Sequence, residues 1–228
     1  MNLDKLKQLS SFTNKDLKLH YNIKYPEICI QRLKDKDKII TIEKGKYTLQ
    51  DSTLSYATQL INPSYLSFLS ALNFYGYSTQ LSVKHTVAIK YNKKAIKNIK
   101  FIRVNAKYFF GYNKINYGGF DLFIANKEKL LLDCLLYQNY VQVSDTLELL
   151  KDNLDKNKII EYLDKINNIN LIKRVGYLLD LVNIDIYKYF KYKIENNNTY
   201  VKLNKNLIKT KNNNSKWKIN INEVVNLW

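Results

Sequence analysis

Apolar and polar positions in the first fifty residues predict three short helices followed by a β-hairpin. Leucines recur at helical spacing over residues 3–9, and a second helix runs from Asn14 to about residue 20 with Thr13 as its N-cap. Pro26 opens a third helix that runs to about residue 36, and residues 38–48 then alternate as a pair of strands joined by a turn. This order of elements is typical of a winged helix-turn-helix.

The next segment predicts one helix from Asn62 to Tyr77. Asn62 suits the N-cap, Pro63 suits the first helical position, and Gly76 suits the left-handed residue that ends the last turn. Its apolar and small residues fall on opposite sides of a helical wheel. We therefore expect this helix to connect the N-terminal module to the rest of the chain.

Apolar runs bounded by turns follow, and they predict a small, mostly antiparallel sheet. The expected strands are residues 82–90, 100–104, 107–112 and 120–124. A helix from Lys127 to Tyr140, with Asn126 as its N-cap, carries leucines around nearly its whole circumference. Such a helix requires burial on most sides.

The last third of the chain predicts a compact helical bundle and a basic, aromatic tail. Helical patterns occupy residues 144–154, 156–166 and 170–182, and Gly176 in the third is expected to allow a close helix crossing. From Asp185 onward, lysines alternate with aromatic residues. This pattern suits a nucleic-acid surface, and it equally suits aromatic side chains that anchor a last helix and strand while the lysines face water.

These patterns together predict an α+β protein. The expected domains are a winged helix-turn-helix DNA-binding domain at residues 1–61 and a mixed α/β domain at residues 62–228. The second domain combines the small, mostly antiparallel sheet with the C-terminal helical bundle, and we expect it to serve dimerisation.

Charge favours nucleic acid as the partner class. The formal net charge is +17 and the pI is about 9.6, so the surface attracts polyanions at long range. The alternative is that lysine is spread over the surface without any binding role. A hydrophobic content of 46% excludes a disordered chain.

Cysteine usage and hydropathy bear on the compartment. Cys29 and Cys134 lie in apolar helical patterns far apart in the chain, which indicates core thiols and neither a metal site nor a disulfide. The chain has no long apolar leader and no apolar run of membrane-spanning length. We expect a cytoplasmic protein with no membrane contact.

The third helix supplies the candidate base-reading residues. A helical wheel from Pro26 places the five residues Glu27, Ile28, Gln31, Arg32 and Asp35 on the polar side. Arg32 has the donors to bind guanine, Gln31 suits adenine, and Ile28 suits a thymine methyl group. An isoleucine on that side either contacts DNA or a partner, or is covered by a neighbouring element such as the wing.

Four further residues are candidates for phosphate contacts. Lys24 and Tyr25 directly precede the third helix, and Lys44 and Lys46 lie in the predicted wing. Each lysine is also explained as a solvated surface charge. The carboxylates of Glu27 and Asp35 oppose DNA, so the predicted reading face is not uniformly basic.

Catalytic motifs are missing from the sequence. It contains no P-loop and no G-x-G-x-x-G, and His20 and His85 stand apart from other potential metal ligands. We expect no enzyme, no cofactor and no metal site. An enzyme that processes nucleic acid is the least favoured alternative.

Two spaced motifs resemble the AbiEi family of abortive-infection antitoxins and transcriptional regulators. Members carry a P-x-Y-x-S-x-x-x-A-L helix and an A-x-x-E-K-x-L-x-D helix. This chain matches them with Pro63, Tyr65, Ser67, Ala71 and Leu72, and with Ala125, Glu128, Lys129, Leu131 and Asp133. The resemblance covers about residues 10–140, and the last third of the chain has no matching motif.

The resemblance implies a repressor of its own operon that counters a nucleotidyltransferase toxin in a type IV toxin-antitoxin system. A homodimer would bind an operator with an inverted repeat. The alternative is a stand-alone winged-helix regulator without a toxin partner. Glu128, Lys129 and Asp133 have two open interpretations, either support of the helix itself or a catalytic or partner role.

Overall fold

The structure is a computed structural model that describes residues 4–80 and 83–225 as a mixed α+β protein. Leu3 and Ser82, which belong to predicted elements, lie outside these ranges. The chain divides into two compact units. The first comprises the chain up to Leu66, Val83–Val104 and Asn113–Ile124, and the second comprises the remaining segments. The units therefore share the chain in alternating segments, whereas the sequence analysis placed one boundary after residue 61.

The first unit begins with short helices and a three-stranded sheet. Its elements are α1 (Asp4–Lys7), β1 (Phe12–Thr13), α2 (Asn14–Tyr21), α3 (Pro26–Lys34), β2 (Ile40–Glu43), β3 (Lys46–Thr48) and α4 (Leu54–Ala57). The strands lie in the order β1-β3-β2, and both pairs are antiparallel. One hydrophobic cluster joins the helices to the sheet through Leu6, Phe12, Leu17, Ile30, Leu33, Ile39 and Tyr47.

Local signals in the sequence explain the start of these helices. The Thr13 side chain accepts a hydrogen bond from the backbone N–H of Asp16, and the Asp16 carboxylate accepts one from the Thr13 N–H. This capping box, which the sequence predicts, fixes where α2 begins. Pro26 occupies the first turn of α3, where its missing N–H costs no helical hydrogen bond.

The segment from Asn62 to Tyr77 is not a single helix, so that prediction is wrong. It forms strand β4 (Ser64–Leu66) and helix α5 (Phe68–Phe74), and the Asn62–Pro63 peptide is cis. All three residues of β4 are buried, because neighbouring strands pair with β4 on both sides. Backbone pairing thus outweighs the helical periodicity of the side chains. Gly76 does take the predicted left-handed conformation, with φ of 80° after the end of α5.

A five-stranded sheet completes the first unit. Its remaining strands are β5 (His85–Ile89), β6 (Ile99–Arg103), β7 (Tyr112–Tyr117) and β8 (Phe120–Ala125). The strand order is β6-β5-β4-β8-β7. The β4–β5 pair is antiparallel, whereas the β5–β6 and β4–β8 pairs are parallel. The sheet is therefore mixed, with parallel pairs that the sequence analysis did not predict.

The predicted strand at residues 107–112 is also wrong. The chain instead makes a 3₁₀ turn at Ala106–Tyr108, and β7 starts only at Tyr112. Gly111 explains the difference, because its φ of 70° turns the chain away from a strand. A Cβ atom on Gly111 would lie 3.0 Å from Cβ of Lys129 and from the ring of Tyr162, so the close approach requires glycine.

The second unit is mainly helical. It contains α5 followed by α6 (Lys127–Leu136), a 3₁₀ turn (Ser144–Thr146), α7 (Leu147–Leu150), α8 (Lys156–Ile166), α9 (Ile169–Asp180) and α10 (Tyr187–Glu195). Three short strands, β9 (Val201–Lys202), β10 (Asn213–Asn214) and β11 (Ile219–Asn220), form a sheet in the order β10-β11-β9. The Asn126 side chain caps α6 as predicted, by accepting a hydrogen bond from the Lys129 N–H.

Gly176 leaves space for the indole ring of Trp217. A Cβ atom at this position of α9 would overlap the indole ring of Trp217, which is fully buried. The indole Nε1–H donates a hydrogen bond of 2.7 Å to Asp180 on the same helix. The sequence predicted a close helix crossing at Gly176, and the structure has a tryptophan side chain there instead.

Candidate nucleic-acid interface

Helix α3 has one buried face and one exposed face. Pro26, Ile30 and Leu33 are buried in the first unit, as the helical wheel predicts. The five residues predicted for the polar face, Glu27, Ile28, Gln31, Arg32 and Asp35, are all exposed. The helix therefore presents a continuous surface to a partner, and the candidate base-reading residues share it.

Ile28 and Tyr25 are exposed to an unusual degree for large hydrophobic side chains. Ile28 is 52% exposed and Tyr25 is 58% exposed. The alternative that a neighbouring element covers Ile28 is therefore wrong. Exposed apolar side chains next to charged ones are typical of a surface that contacts a partner.

A groove runs along this side of α3 and collects positive charge. Its volume is about 510 Å³, and its lining includes Ile28 between the cations Lys24, Arg32, Lys36 and Lys38. No carboxylate belongs to the lining. Cys29 also lines the groove, and its partial burial raises the pKa of its thiol. The groove therefore favours an anionic ligand over a cationic one.

The two carboxylates on the exposed face have neutral partners. Gln31 Nε2 donates a hydrogen bond of 2.8 Å to Asp35 Oδ1, and Asn14 Nδ2 donates one of 3.2 Å to Glu27 Oε1. Gln31 must release Asp35 before its amide can pair with a base. Arg32 belongs to neither of these pairs. Of the two polar candidates for base contacts, Gln31 and Arg32, only Gln31 would have to break one of these hydrogen bonds first.

The two lysines of the β2–β3 hairpin have different surroundings. Lys44 is exposed at the turn, next to Gly45 with its φ of 82°. Lys46 Nζ donates a hydrogen bond of 2.9 Å to the Leu60 carbonyl and lies 3.3 Å from the Glu43 carboxylate. Lys44 is therefore available for a phosphate, while Lys46 already contributes to internal structure.

Glu43 joins the hairpin to a segment that the sequence analysis overlooked. Its second carboxylate oxygen lies 3.1 Å from Nζ of Lys93, in the connection between β5 and β6. Burial alone would raise the pKa of Glu43, but hydrogen bonds from Lys93 and Lys46 lower it below its usual value. The missed signal was the run of lysines around Lys93, which the sequence analysis treated only as a turn and two strand ends.

Polar residues of the two spaced motifs around Pro63 and Ala125 meet in the interior of the second unit. Ser67 Oγ donates a hydrogen bond of 2.9 Å to Asp133 Oδ2, and Lys129 pairs with Asp133 Oδ1. Ser67, Lys129 and Asp133 are all fully buried. Glu128 accepts a hydrogen bond of 3.0 Å from the backbone N–H of Asp155, the N-cap of α8. These contacts hold α5, α6 and α8 together, which favours the structural interpretation of the motif residues.

The basic, aromatic C-terminal segment has both buried and exposed aromatic side chains. Phe190 and Trp217 are buried, and the Tyr187 ring packs edge-on against Trp217 at 5.2 Å. Tyr189 and Tyr192 are exposed on α10. Some of the aromatic residues therefore anchor the segment, while others face outward among lysines.

The part of the chain that the structure describes has neither a cluster of metal ligands nor a membrane-spanning helix. Residues 4–80 and 83–225 contain no group of three His, Cys, Asp or Glu residues arranged to hold a metal ion. No helix in that part of the chain is long and apolar enough to cross a membrane.

Comparison with known proteins identifies a similar fold. No protein-family model matches the chain, and no curated protein matches it. The crystal structure of the RV2827C protein from Mycobacterium tuberculosis is similar, with a TM-score of 0.70 over 95% of this chain and 88% of that one. The two sequences are 12% identical, so the similarity concerns the fold alone.

Proposed function

We propose that this chain is a sequence-specific DNA-binding protein whose N-terminal segment is a winged helix-turn-helix. The order of α1, β1, α2 and α3, followed by the β2–β3 hairpin, supports this assignment, since the hairpin then corresponds to the wing. The antiparallel order β1-β3-β2 and the hydrophobic cluster that the three helices share with this sheet are consistent with that fold.

The exposed face of α3, next to a groove lined by cations and no carboxylate, is the observation that carries this proposal. Helix α3 enters the major groove, where the Arg32 guanidinium donates to guanine O6 and N7. Ile28 packs against a thymine methyl group, and Gln31 pairs with adenine once it leaves Asp35. Lys24, Tyr25 and Lys44 bind phosphates and set the register, and Lys46 mainly supports the wing.

The biological role we propose is that of a cytoplasmic repressor and type IV antitoxin. Its support is the resemblance of the two motifs around Pro63 and Ala125 to the AbiEi family. A homodimer would bind an inverted repeat upstream of its own gene, and the antagonised toxin would be a nucleotidyltransferase. A stand-alone regulator would use the same DNA-binding face but would have no such toxin to counter.

A binding titration of the full-length protein tests the DNA-binding proposal. The probes are the duplex upstream of its own gene and a scrambled duplex of equal length and composition. Arg32→Ala should lose about 1–3 kcal/mol on the upstream duplex and far less on the scrambled one. Lys44→Ala should weaken binding to both duplexes alike. It should also reduce the magnitude of the slope of log K against log salt by about 1. Equal affinity of the wild type for both duplexes would refute sequence-specific binding.

Growth of a bacterial host tests the antitoxin role separately. The nucleotidyltransferase-like gene next to this one, where the genome has it, is expressed alone and together with the full-length protein. Restored growth on co-expression supports the antitoxin role. Continued growth arrest with both proteins present, or a genome without such a gene, favours the stand-alone regulator.

A further inference from the structure

The segment that comprises β5, β6 and the connection between them is strongly basic. Residues 83–104 include seven cations and no carboxylate: Lys84, Lys90, Lys93, Lys94, Lys97, Lys100 and Arg103. We call residues 90–100 the basic strap. All five of its lysines are exposed.

The topology of the sheet stretches the basic strap over the surface. Strands β5 and β6 are parallel, with His85 opposite Ile99 and Ile89 opposite Arg103. The chain must therefore return from the end of β5 to the start of β6, a distance of about 16 Å for strands of this length. Successive phosphates of one DNA strand are about 3.4 Å apart along the axis, so the strap is long enough to face several of them.

Glu43 fixes the basic strap beside the predicted wing. Its carboxylate contacts Lys93 at 3.1 Å and Lys46 at 3.3 Å, and it directly precedes the exposed Lys44 in the chain. Lys93 is thus anchored at the turn end of the hairpin, and the positive surface continues from the hairpin onto the strap. Within the described part of the chain, Lys94 and Lys97 have no carboxylate within ion-pair distance.

Lys97 has a backbone conformation that favours other residue types. Its φ is 46°, at a tight turn closed by reciprocal backbone hydrogen bonds of 3.0 and 2.8 Å between Ile96 and Ile99. Glycine or asparagine would adopt this conformation at lower cost. A lysine at such a turn, with its side chain in solvent, suggests that the charge itself has a function.

We infer that the basic strap is a second DNA-backbone contact surface, which flanks the wing and binds phosphates without reading bases. The inference rests on the proposed DNA-binding function and extends its footprint beyond the N-terminal module. Lys94 and Lys97 neutralise phosphates next to those bound by Lys44, so they add affinity by counterion release. Base discrimination stays with α3, because lysine contacts to phosphate carry no sequence information.

The test measures the salt dependence of binding for the full-length variant Lys94→Gln/Lys97→Gly. Glycine at residue 97 keeps the positive φ without strain, so the fold is preserved while two charges are removed. The matched control for this neutral double variant is Lys94→Arg/Lys97→Arg, which retains both charges. The probes are the upstream duplex and the scrambled duplex, at salt concentrations from 50 to 200 mM. A urea titration checks that both variants are folded.

The slope of log K against log salt should become less negative by about 1.8 for the neutral variant and should stay unchanged for the arginine variant. The ratio of affinities for upstream and scrambled duplex should stay constant. An unchanged slope in the folded neutral variant would overturn the inference, and so would a selective loss on the upstream duplex. A wild type that binds both duplexes equally refutes the proposed sequence specificity instead, and the slope still reports separately on the strap.

Discussion

Lys129 pairs with the carboxylate of Asp133 one helical turn further along α6, and both side chains are completely shielded from solvent. Ser67 donates a hydrogen bond of 2.9 Å to the other oxygen of the same carboxylate. All three residues belong to the two spaced motifs around Pro63 and Ala125, and their side chains are fully buried. The three side chains therefore link the start of α5 to α6 inside the second unit.

Replacing Asp133 by asparagine should destabilise the protein severely. The substitution leaves the buried ammonium of Lys129 without its counter-charge, and breaking one half of a buried ion pair typically costs about 3–5 kcal/mol. The free energy of unfolding in urea measures the effect. The double variant Lys129→Met/Asp133→Leu is the control, and it should be clearly more stable than Asp133→Asn because it leaves no unpaired charge. A double variant as unstable as the single one would contradict this account.

Gly176→Ala should also destabilise the second unit. The new methyl group would overlap the ring of Trp217, and overpacking of a filled core usually costs about 1–3 kcal/mol. Urea unfolding of the single variants and of Gly176→Ala/Trp217→Leu forms a double-mutant cycle. We expect the alanine to cost much less in the Trp217→Leu background. Additive losses would show that the ring does not cause the effect.

Helices with complete local signals could be predicted from the sequence. The cap at Thr13, the proline at the start of α3 and the N-cap Asn126 each act within one turn, and each lies where predicted. The segment from Asn62 to Tyr77 has similar signals but forms a strand and a shorter helix. Pairing with strands more than twenty residues away decides its structure, and a local pattern contains no information on such partners.

The candidate interface likewise has features that the local sequence determines and features that only the folded chain determines. The exposed side of α3 follows from helical periodicity, so Ile28 and Arg32 could be assigned to it in advance. The internal contacts of Lys46 and the position of Lys93 beside Glu43 depend on the folded chain. The charge density of the sequence indicated a polyanionic partner. It did not indicate which lysines lie together on one surface.

Stability should depend on pH through Asp152. Hydrogen bonds from Lys127, Tyr77 and the Asn153 backbone lower the pKa of Asp152 to about 2, against about 3.9 in an unfolded chain. A lowered folded-state pKa contributes stability above about pH 4 that is lost as the pH falls toward 2. The pair is partly exposed, so the contribution is at most about 1 kcal/mol.

Unfolding of the wild type and of Asp152→Asn in urea at pH 6 and at pH 3 measures this contribution. The difference between the two proteins should be largest at pH 6 and should shrink at pH 3. Asp51→Asn, at an exposed position of the first unit, provides the control for a generic change of charge. A difference that is the same at both pH values would exclude ionised Asp152 as the cause.

Ile28→Ser should separate binding from folding. Ile28 is 52% exposed, so its removal should change the free energy of unfolding by no more than about 0.5 kcal/mol. If Ile28 contacts a thymine methyl group, the variant should lose about 1 kcal/mol of affinity for the upstream duplex and little for the scrambled one. Ile208→Ser, which replaces an exposed isoleucine of the second unit, should leave binding to both duplexes unchanged. Equal losses from both variants would mean that exposed apolar surface in general, and not the reading face of α3, governs the affinity for DNA.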